Sequence, residues 1–230
     1  MVHQKFLKTK PPALLLHTDM VIEQIVYPIE TLGPGKRIGI WLVGCNRHCP
    51  GCSNPELWSR DGWPIIDVET AANLVSSIFS ENIVDGITIS GGEPMEQAAE
   101  LYQLTKLLAQ RTNDILLYSG YTYEEICCDP IKEAVLDNVA VLIDGRYIKE
   151  ENEQLILRGS KNQHIYLFNQ NLEEKYQDYF LNADPKAIQN IHIDGCTISF
   201  GIHSADFSDV LTEQLKLKGV LKHNEKYEMA

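Results

Sequence analysis

Gly44-Cys45-Asn46-Arg47-His48-Cys49-Pro50-Gly51-Cys52-Ser53-Asn54 carries three of the chain's six cysteines at C-x-x-x-C-x-x-C spacing, with no fourth ligand candidate nearby in sequence. Thiolate is a soft ligand that selects zinc, copper(I) or iron–sulfur clusters. A structural zinc site closes its tetrahedron with four protein ligands. Three thiolates on a short loop suit a cubane instead, with three irons held and one left open to something that is not protein. The bland alternative is a set of buried or zinc-binding thiols. The hydrophobic run Ile38-Gly39-Ile40-Trp41-Leu42-Val43 just ahead reads as a buried strand that delivers this loop at its C-terminal end.

Outward from the loop, strand and helix signals alternate. Val21 to Tyr27 reads as a first, edge strand, and Leu32-Gly33-Pro34-Gly35 as a turn. Asp67 is placed to cap a helix whose apolar positions Val68, Ala71, Ala72, Val75, Ile78 and Phe79 follow three-four spacing. Gly86 to Ser90 is a short strand running into Gly91-Gly92-Glu93-Pro94, and Met95 to Gln110 the next helix. Ile115 to Tyr118, Val139 to Ile143 and His164 to Phe168 are further strands, with helical pieces over 122–136 broken at Asp129-Pro130. Such alternation implies parallel β/α units with right-handed crossovers, whose functional loops gather at the C-terminal ends of the strands. The cysteine loop, the Gly91-Gly92-Glu93 turn, Ser119-Gly120 and Asp144-Gly145 all fall at such ends. Beyond Asn171 the pattern changes to a helix over 172–181, a hairpin around Asp194-Gly195 and a last helix through Val210, Leu211, Leu215 and Leu217.

The cysteine spacing matches the radical S-adenosylmethionine superfamily. Its context is similar to the activating proteins of anaerobic ribonucleotide reductase: Gly33-Pro34-Gly35-Lys36-Arg37, the cysteine loop with Trp58, Ser90 to Pro94, Ser119-Gly120-Tyr121, Leu142 to Gly145 and Arg158 to Gln163 occur in that family's order. The likeness covers roughly residues 20–168. It implies an α/β fold, a small partial (β/α) barrel of the radical S-adenosylmethionine type, here with a C-terminal hairpin and helix extension. The expected division is a lead over 1–20, a core over 21–170 and an extension over 171–230.

The resemblance also implies a 4Fe–4S cluster on Cys45, Cys49 and Cys52, with S-adenosylmethionine held by Gly51, Ser53, Gly91, Gly92, Glu93 and Ser119. Alone, a Gly-Gly turn after a strand is weak evidence, since any tight turn could need it. Two bare backbones beside an acceptor-only carboxylate nevertheless suit an ammonium group. Ser119-Gly120-Tyr121 is expected to meet the nucleoside end, a plain turn being the alternative, and Asp144-Gly145 and Arg158 to Gln163 to line the mouth. His48 reads as a loop hydrogen-bonder, and Cys127, Cys128 and Cys196 as ordinary buried thiols.

The implied chemistry is generation of a 5′-deoxyadenosyl radical that installs a glycyl radical on an anaerobic ribonucleotide reductase, fed by a low-potential donor such as flavodoxin or ferredoxin. Competing readings are a related enzyme acting on a peptide or small molecule, and a non-catalytic iron–sulfur electron carrier. A net charge of −12 argues against nucleic-acid binding, which needs a basic footprint. No apolar run spans a bilayer, and Ala13-Leu14-Leu15-Leu16 is too short for a signal peptide, so a cytoplasmic protein with reduced thiols is expected.

Overall fold

The computed structural model describes residues 19–193 and 196–218. The expected lead up to residue 18, the hairpin turn Asp194-Gly195 and the charged tail from 219 lie outside the described residues. Seven strands form one mixed sheet: β1 (Asp19–Ile29), β2 (Arg37–Leu42), β3 (Ile65–Asp67), β4 (Gly86–Gly91), β5 (Ile115–Tyr118), β6 (Val141–Asp144) and β7 (His164–Leu167), in the order β3-β1-β2-β4-β5-β6-β7. A separate hairpin pairs β8 (Ile188–Ile193) with β9 (Cys196–Gly201).

The four central strands β2, β4, β5 and β6 are parallel, and their register aligns Leu42 with Gly91, Ile89 with Leu117 and Tyr118 with Ile143. The loops after these strands therefore emerge side by side at one end. The flanks differ from the expected all-parallel pattern, since β1 is antiparallel to β2 and β7 to β6. Parallel neighbours need a long crossover, usually a helix. Between β6 and β7 the chain makes only short turns, so it comes back from the end where it left, with His164 opposite Asp144. Nor is β1 a bare edge: Asp19 to Val21 pair with Asp67 to Ile65 of β3.

The α/β alternation expected from the sequence is present. Helix α1 (Val68–Glu81) begins where Asp67 accepts the Thr70 N–H at 3.0 Å and buries Val68, Ala71, Ala72 and Val75. Helix α2 (Ala98–Leu108) starts later than the sequence suggested, because Pro94–Gln97 wind as a 3-10 turn capped by Glu93. Thr122 and Glu125 close a capping box on α3 (Tyr123–Cys127), and Asp129 with Pro130 opens α4 (Pro130–Val135). Together these helices cover one sheet face in a core that includes Ile38, Ile40, Leu42, Ile87, Ile89, Leu101, Leu104 and Leu142.

The opposite face is covered by the C-terminal segment. Tyr176 of α5 (Glu173–Asn182) packs with Leu116, Val141 and Ile143, and Phe200 of β9 meets Trp41 edge-on at 4.9 Å. Helix α6 (Phe207–Leu217) ends the described chain. At the N-terminal end of the parallel strands Arg37 is fully buried and uses every donor it has. Its fork meets Asp114 at 3.0 and 3.1 Å, Nε reaches Thr88 at 2.7 Å, and the remaining N–H groups reach the Ile87 and Pro34 carbonyls. Lys175 and Tyr176 of α5 each donate to Asp114 at 2.7 Å, so the same carboxylate fastens the C-terminal segment to the sheet.

Candidate iron–sulfur and ligand site

The cysteine loop leaves β2 at Leu42 and is tied down on both sides. Gly44 N–H donates to the Leu57 carbonyl at 2.8 Å, and Cys45 N–H to that of Trp58 at 3.0 Å. Cys45 and Cys49 are buried and Cys52 partly so. Arg47 N–H points at Cys45 Sγ and Asn54 N–H at Cys52 Sγ, both at 3.4 Å. Burial pushes the Cys45 and Cys52 thiols up; Cys45 also feels the charge of Glu93 and Cys49, and Cys52 that of Cys49 and Cys45. The buried Trp58 indole N–H has no full hydrogen bond and lies where it favours the Cys52 thiolate.

A cubane fits this donor set. Cationic irons favour the thiolate form that burial disfavours at Cys45 and Cys52, and the backbone N–H groups aimed at sulfur are among the features that set a cluster's potential. Among the described residues no trio of His, Cys, Asp or Glu converges as ligands of a single ion would. A cubane does not ask for that convergence, since each thiolate takes its own iron.

The Gly91-Gly92-Glu93 turn is bonded directly onto this loop. Gly92 N–H donates to the Leu42 carbonyl at 2.7 Å, and Glu93 N–H to the Gly44 carbonyl at 2.8 Å. Gly91 has φ +113°, and a Cβ on Gly92 would stand 2.6 Å from the Gly44 oxygen and 2.9 Å from that of Leu57. Both glycines are thus demanded by contact with strand β2 and the cysteine loop: a side chain at Gly92 would displace the loop before it met any ligand. Glu93 itself is only 1% exposed. Its carboxylate accepts Met95 N–H and Ser119 Oγ–H, both at 2.9 Å, and Gly120 N–H. Burial nevertheless pushes its pKa up to about 7.

Ser119 therefore sits beside Glu93, as its buried hydrogen-bond partner, and also accepts the Tyr121 N–H at 3.1 Å. Gly51 has φ +73°, and the space a Cβ would fill belongs to the Lys149 side chain, while Ser53 is exposed beside Cys52. His48 takes φ +45° and packs its ring on Trp58 at 4.7 Å, while its backbone N–H favours the Cys45 thiolate and its carbonyl accepts from Arg146 at 3.5 Å, so its loop hydrogen bonds run through the backbone. Asp144 does not line a mouth. It is buried and accepts Tyr123 N–H at the start of α3 and His164 N–H at the start of β7.

Arg158 to Gln163 fold onto themselves: Gln163 accepts the Gly159 and Ser160 N–H groups and donates to the Gly145 carbonyl. Asn162 holds the Arg146 carbonyl at 2.8 Å, and Arg146 in turn reaches the Arg47 carbonyl at 2.6 Å. Sequence reading missed Arg146, whose only signal was its place after Asp144-Gly145. Cys127 is half-buried and Cys128 exposed, against the expectation of two buried thiols, and the Cys196 side chain lies outside the described ones.

The model of the 4Fe–4S single cluster domain matches residues 31–166. The anaerobic ribonucleoside-triphosphate reductase-activating protein of Vibrio cholerae is 34% identical over 149 residues, 62% of this chain and 95% of the relative. Those of Enterobacteria phage T4 and Escherichia coli K12 are 31% and 27% identical over 146 and 147 residues, each covering 61% of this chain and 90% and 94% of the relative. The chain belongs to the 4Fe–4S single cluster domain family. Within it, this chain groups with the anaerobic ribonucleoside-triphosphate reductase-activating proteins. These relatives are almost used up by the match, whereas over a third of this chain has no counterpart in them.

Proposed function

We propose that this protein is an activase that installs a glycyl radical on an anaerobic ribonucleotide reductase, using a 4Fe–4S cluster and S-adenosylmethionine. The observation that carries the reading is the backbone bond from Glu93 to Gly44: a buried, partly satisfied carboxylate and the three-cysteine loop form one rigid unit. Cys45, Cys49 and Cys52 hold the cluster. Glu93, flanked by Gly91, Gly92 and Ser119, receives the ligand's charged methionine end, and Gly51 and Ser53 on the cysteine loop complete the cofactor site. A cluster and S-adenosylmethionine held by these residues would supply, with one electron from an external donor, reductive cleavage of the cofactor to methionine and the radical chemistry that takes a hydrogen atom from a glycine of the partner.

The chain's own groups bind, orient and exclude water. Backbone N–H groups of Arg47 and Asn54 steady two sulfurs, and Ser119, Gly120 and Met95 fix the Glu93 carboxylate. The four parallel strands carry these loops as a partial barrel of the radical S-adenosylmethionine type would. We read 21–170 as the core and 171–230 as an extension whose described part packs on the sheet face opposite the helices, on a cytoplasmic protein served by a flavodoxin or ferredoxin. No helix among the described residues is long and apolar enough to cross a membrane.

The test is anaerobic: reconstituted protein, reductant, S-adenosylmethionine and the reductase are mixed and EPR is recorded. A glycyl radical doublet that requires all components is expected. Cofactor cleavage without a doublet would move the assignment to a peptide or small-molecule substrate, and no cleavage at all to an electron carrier.

A further inference from the structure

We infer that Arg47 binds the α-carboxylate of the ligand whose α-ammonium Glu93 takes, so that the two side chains form one receptor for the charged end of an amino acid. This rests on the S-adenosylmethionine reading above. Arg47 stands on the cysteine loop, two residues after Cys45, and turns toward the Glu93 turn and not away from it. A Cβ on Gly120 would lie 3.1 Å from Glu93 Oε2 and 3.3 Å from Arg47 Cγ, so the two side chains close on the same bare backbone. They are not spent on each other. Among the described residues Arg47 makes one ion pair, from Nη2 to Glu125 at 3.0 Å, although its charge is near enough to favour the ionised Glu93.

The guanidinium is held in place from one side and left free at its edge. It lies flat over the Tyr121 ring, 3.7 Å from the centroid, and Tyr121 is itself anchored by its hydroxyl on Glu96 at 2.7 Å. Its Nε–H is buried and has no acceptor among the described residues. A buried donor without a partner carries a standing cost that an incoming acceptor removes. The guanidinium is a rigid fork that meets a carboxylate with two parallel bonds. Glu125, the present partner, is 48% exposed, and an exposed pair of this kind is weak. Glu125 also keeps its place without Arg47, because it closes the capping box of α3 with Thr122. A ligand carboxylate can therefore replace it at small expense. A zwitterion needs opposite charges at both ends when it leaves water, and Glu93 alone supplies only one.

The experiment compares S-adenosylmethionine with its decarboxylated analogue, which keeps the sulfonium, the amine and the adenosyl group. Binding to anaerobically reconstituted wild type, Arg47→Ala and Arg47→Lys is measured by equilibrium dialysis, with iron content per chain recorded for each. Decarboxylation alters the ligand in other ways too, so only the change in preference between variants reports on Arg47. Wild type should prefer S-adenosylmethionine. Arg47→Ala should reduce that preference by about tenfold or more, the scale of one charge-assisted hydrogen bond, with little loss of affinity for the analogue. Arg47→Lys, which keeps the charge but not the fork, should fall between and serves as the test if the Ala variant loads iron poorly. Equal weakening of both ligands would show Arg47 to be only a brace of the loop, and no weakening of either would overturn the assignment as well. Wild type that binds neither ligand would instead bring down the S-adenosylmethionine reading, and this one with it.

Discussion

The two ends of the parallel strands handle buried charge in opposite ways. At the N-terminal end, Arg37 and Asp114 satisfy each other and are further tied to Thr88, Lys175 and Tyr176, with no donor of the guanidinium left over. Burial alone would raise the Asp114 carboxyl, but the Arg37 guanidinium beside it holds it below the ordinary value. At the C-terminal end, Glu93 is as deeply buried yet sits near 7, the Cys45 and Cys52 thiols are raised, and the Arg47 Nε–H and the Trp58 indole N–H lack full partners. Charges closed among themselves hold a fold together. Charges and donors left half-satisfied, gathered on adjoining loops, mark where something from outside completes the structure.

Breaking the open end should leave the fold and remove the chemistry. Replacing any one of Cys45, Cys49 or Cys52 by Ala is expected to abolish the cubane, since three irons need three thiolates. Iron and sulfide content after anaerobic reconstitution measures this, and Cys128→Ala, at an exposed thiol, should load iron like the wild type. A full, redox-active cubane in a single mutant of the triad would overturn the assignment. Breaking the closed end should do the reverse. Asp114→Ala leaves Arg37 buried without its counter-charge, which costs about 3–5 kcal/mol. Urea unfolding should show that loss, while folded molecules still take up iron. A cost under about 1 kcal/mol would mean that water reaches Arg37 and that the two ends differ less than their geometry suggests.

How much of this was legible in the sequence follows from how far apart the partners lie. Helix α1 and its Asp67 cap, strand β5 and the break at Asp129-Pro130 were readable because their signals are local: a period, a capping side chain, a proline. The open end was readable in outline, because its cysteines and glycines are constrained within a few residues of each other. The closed end was not. Arg37 after a Gly-Pro-Gly turn looks like a surface charge, and its partner is 77 residues away. The direction of β7 and the pairing of β3 with β1 depend on the route of a connection and on a distant strand, which no local pattern encodes. Asp144 and the Arg158 to Gln163 run looked like mouth residues since they are polar and occur in the order of the resembled family. Their polarity is consumed by backbone groups that turns leave unpaired, a demand visible only in three dimensions.

The finest distinction between the two ends is in pH dependence, and Glu93→Gln isolates it. Ligand-free Glu93 is raised to about 7 by burial, so the folded protein holds a proton there that the unfolded chain releases near its ordinary value. A raised carboxyl stabilises the fold below the unfolded value, and its contribution is lost as pH rises through the folded one. Between about pH 4.5 and 7 the ligand-free wild type should therefore lose stability from this group as pH rises, and Glu93→Gln should lack that slope. Binding should show the opposite sign, because the ligand's ammonium requires the ionised carboxylate. Affinity of the reconstituted wild type for S-adenosylmethionine should climb as pH rises through about 7, by up to about tenfold per unit below it, and level off above. In Glu93→Gln, affinity should be lower at pH 8 and the step through 7 should be gone. Asp114 cannot produce either effect, since its carboxyl is held ionised well below this range. Retention of the step in Glu93→Gln would assign it to another group. The raised carboxyl would then belong to the scaffold, like Asp114, and not to the ligand.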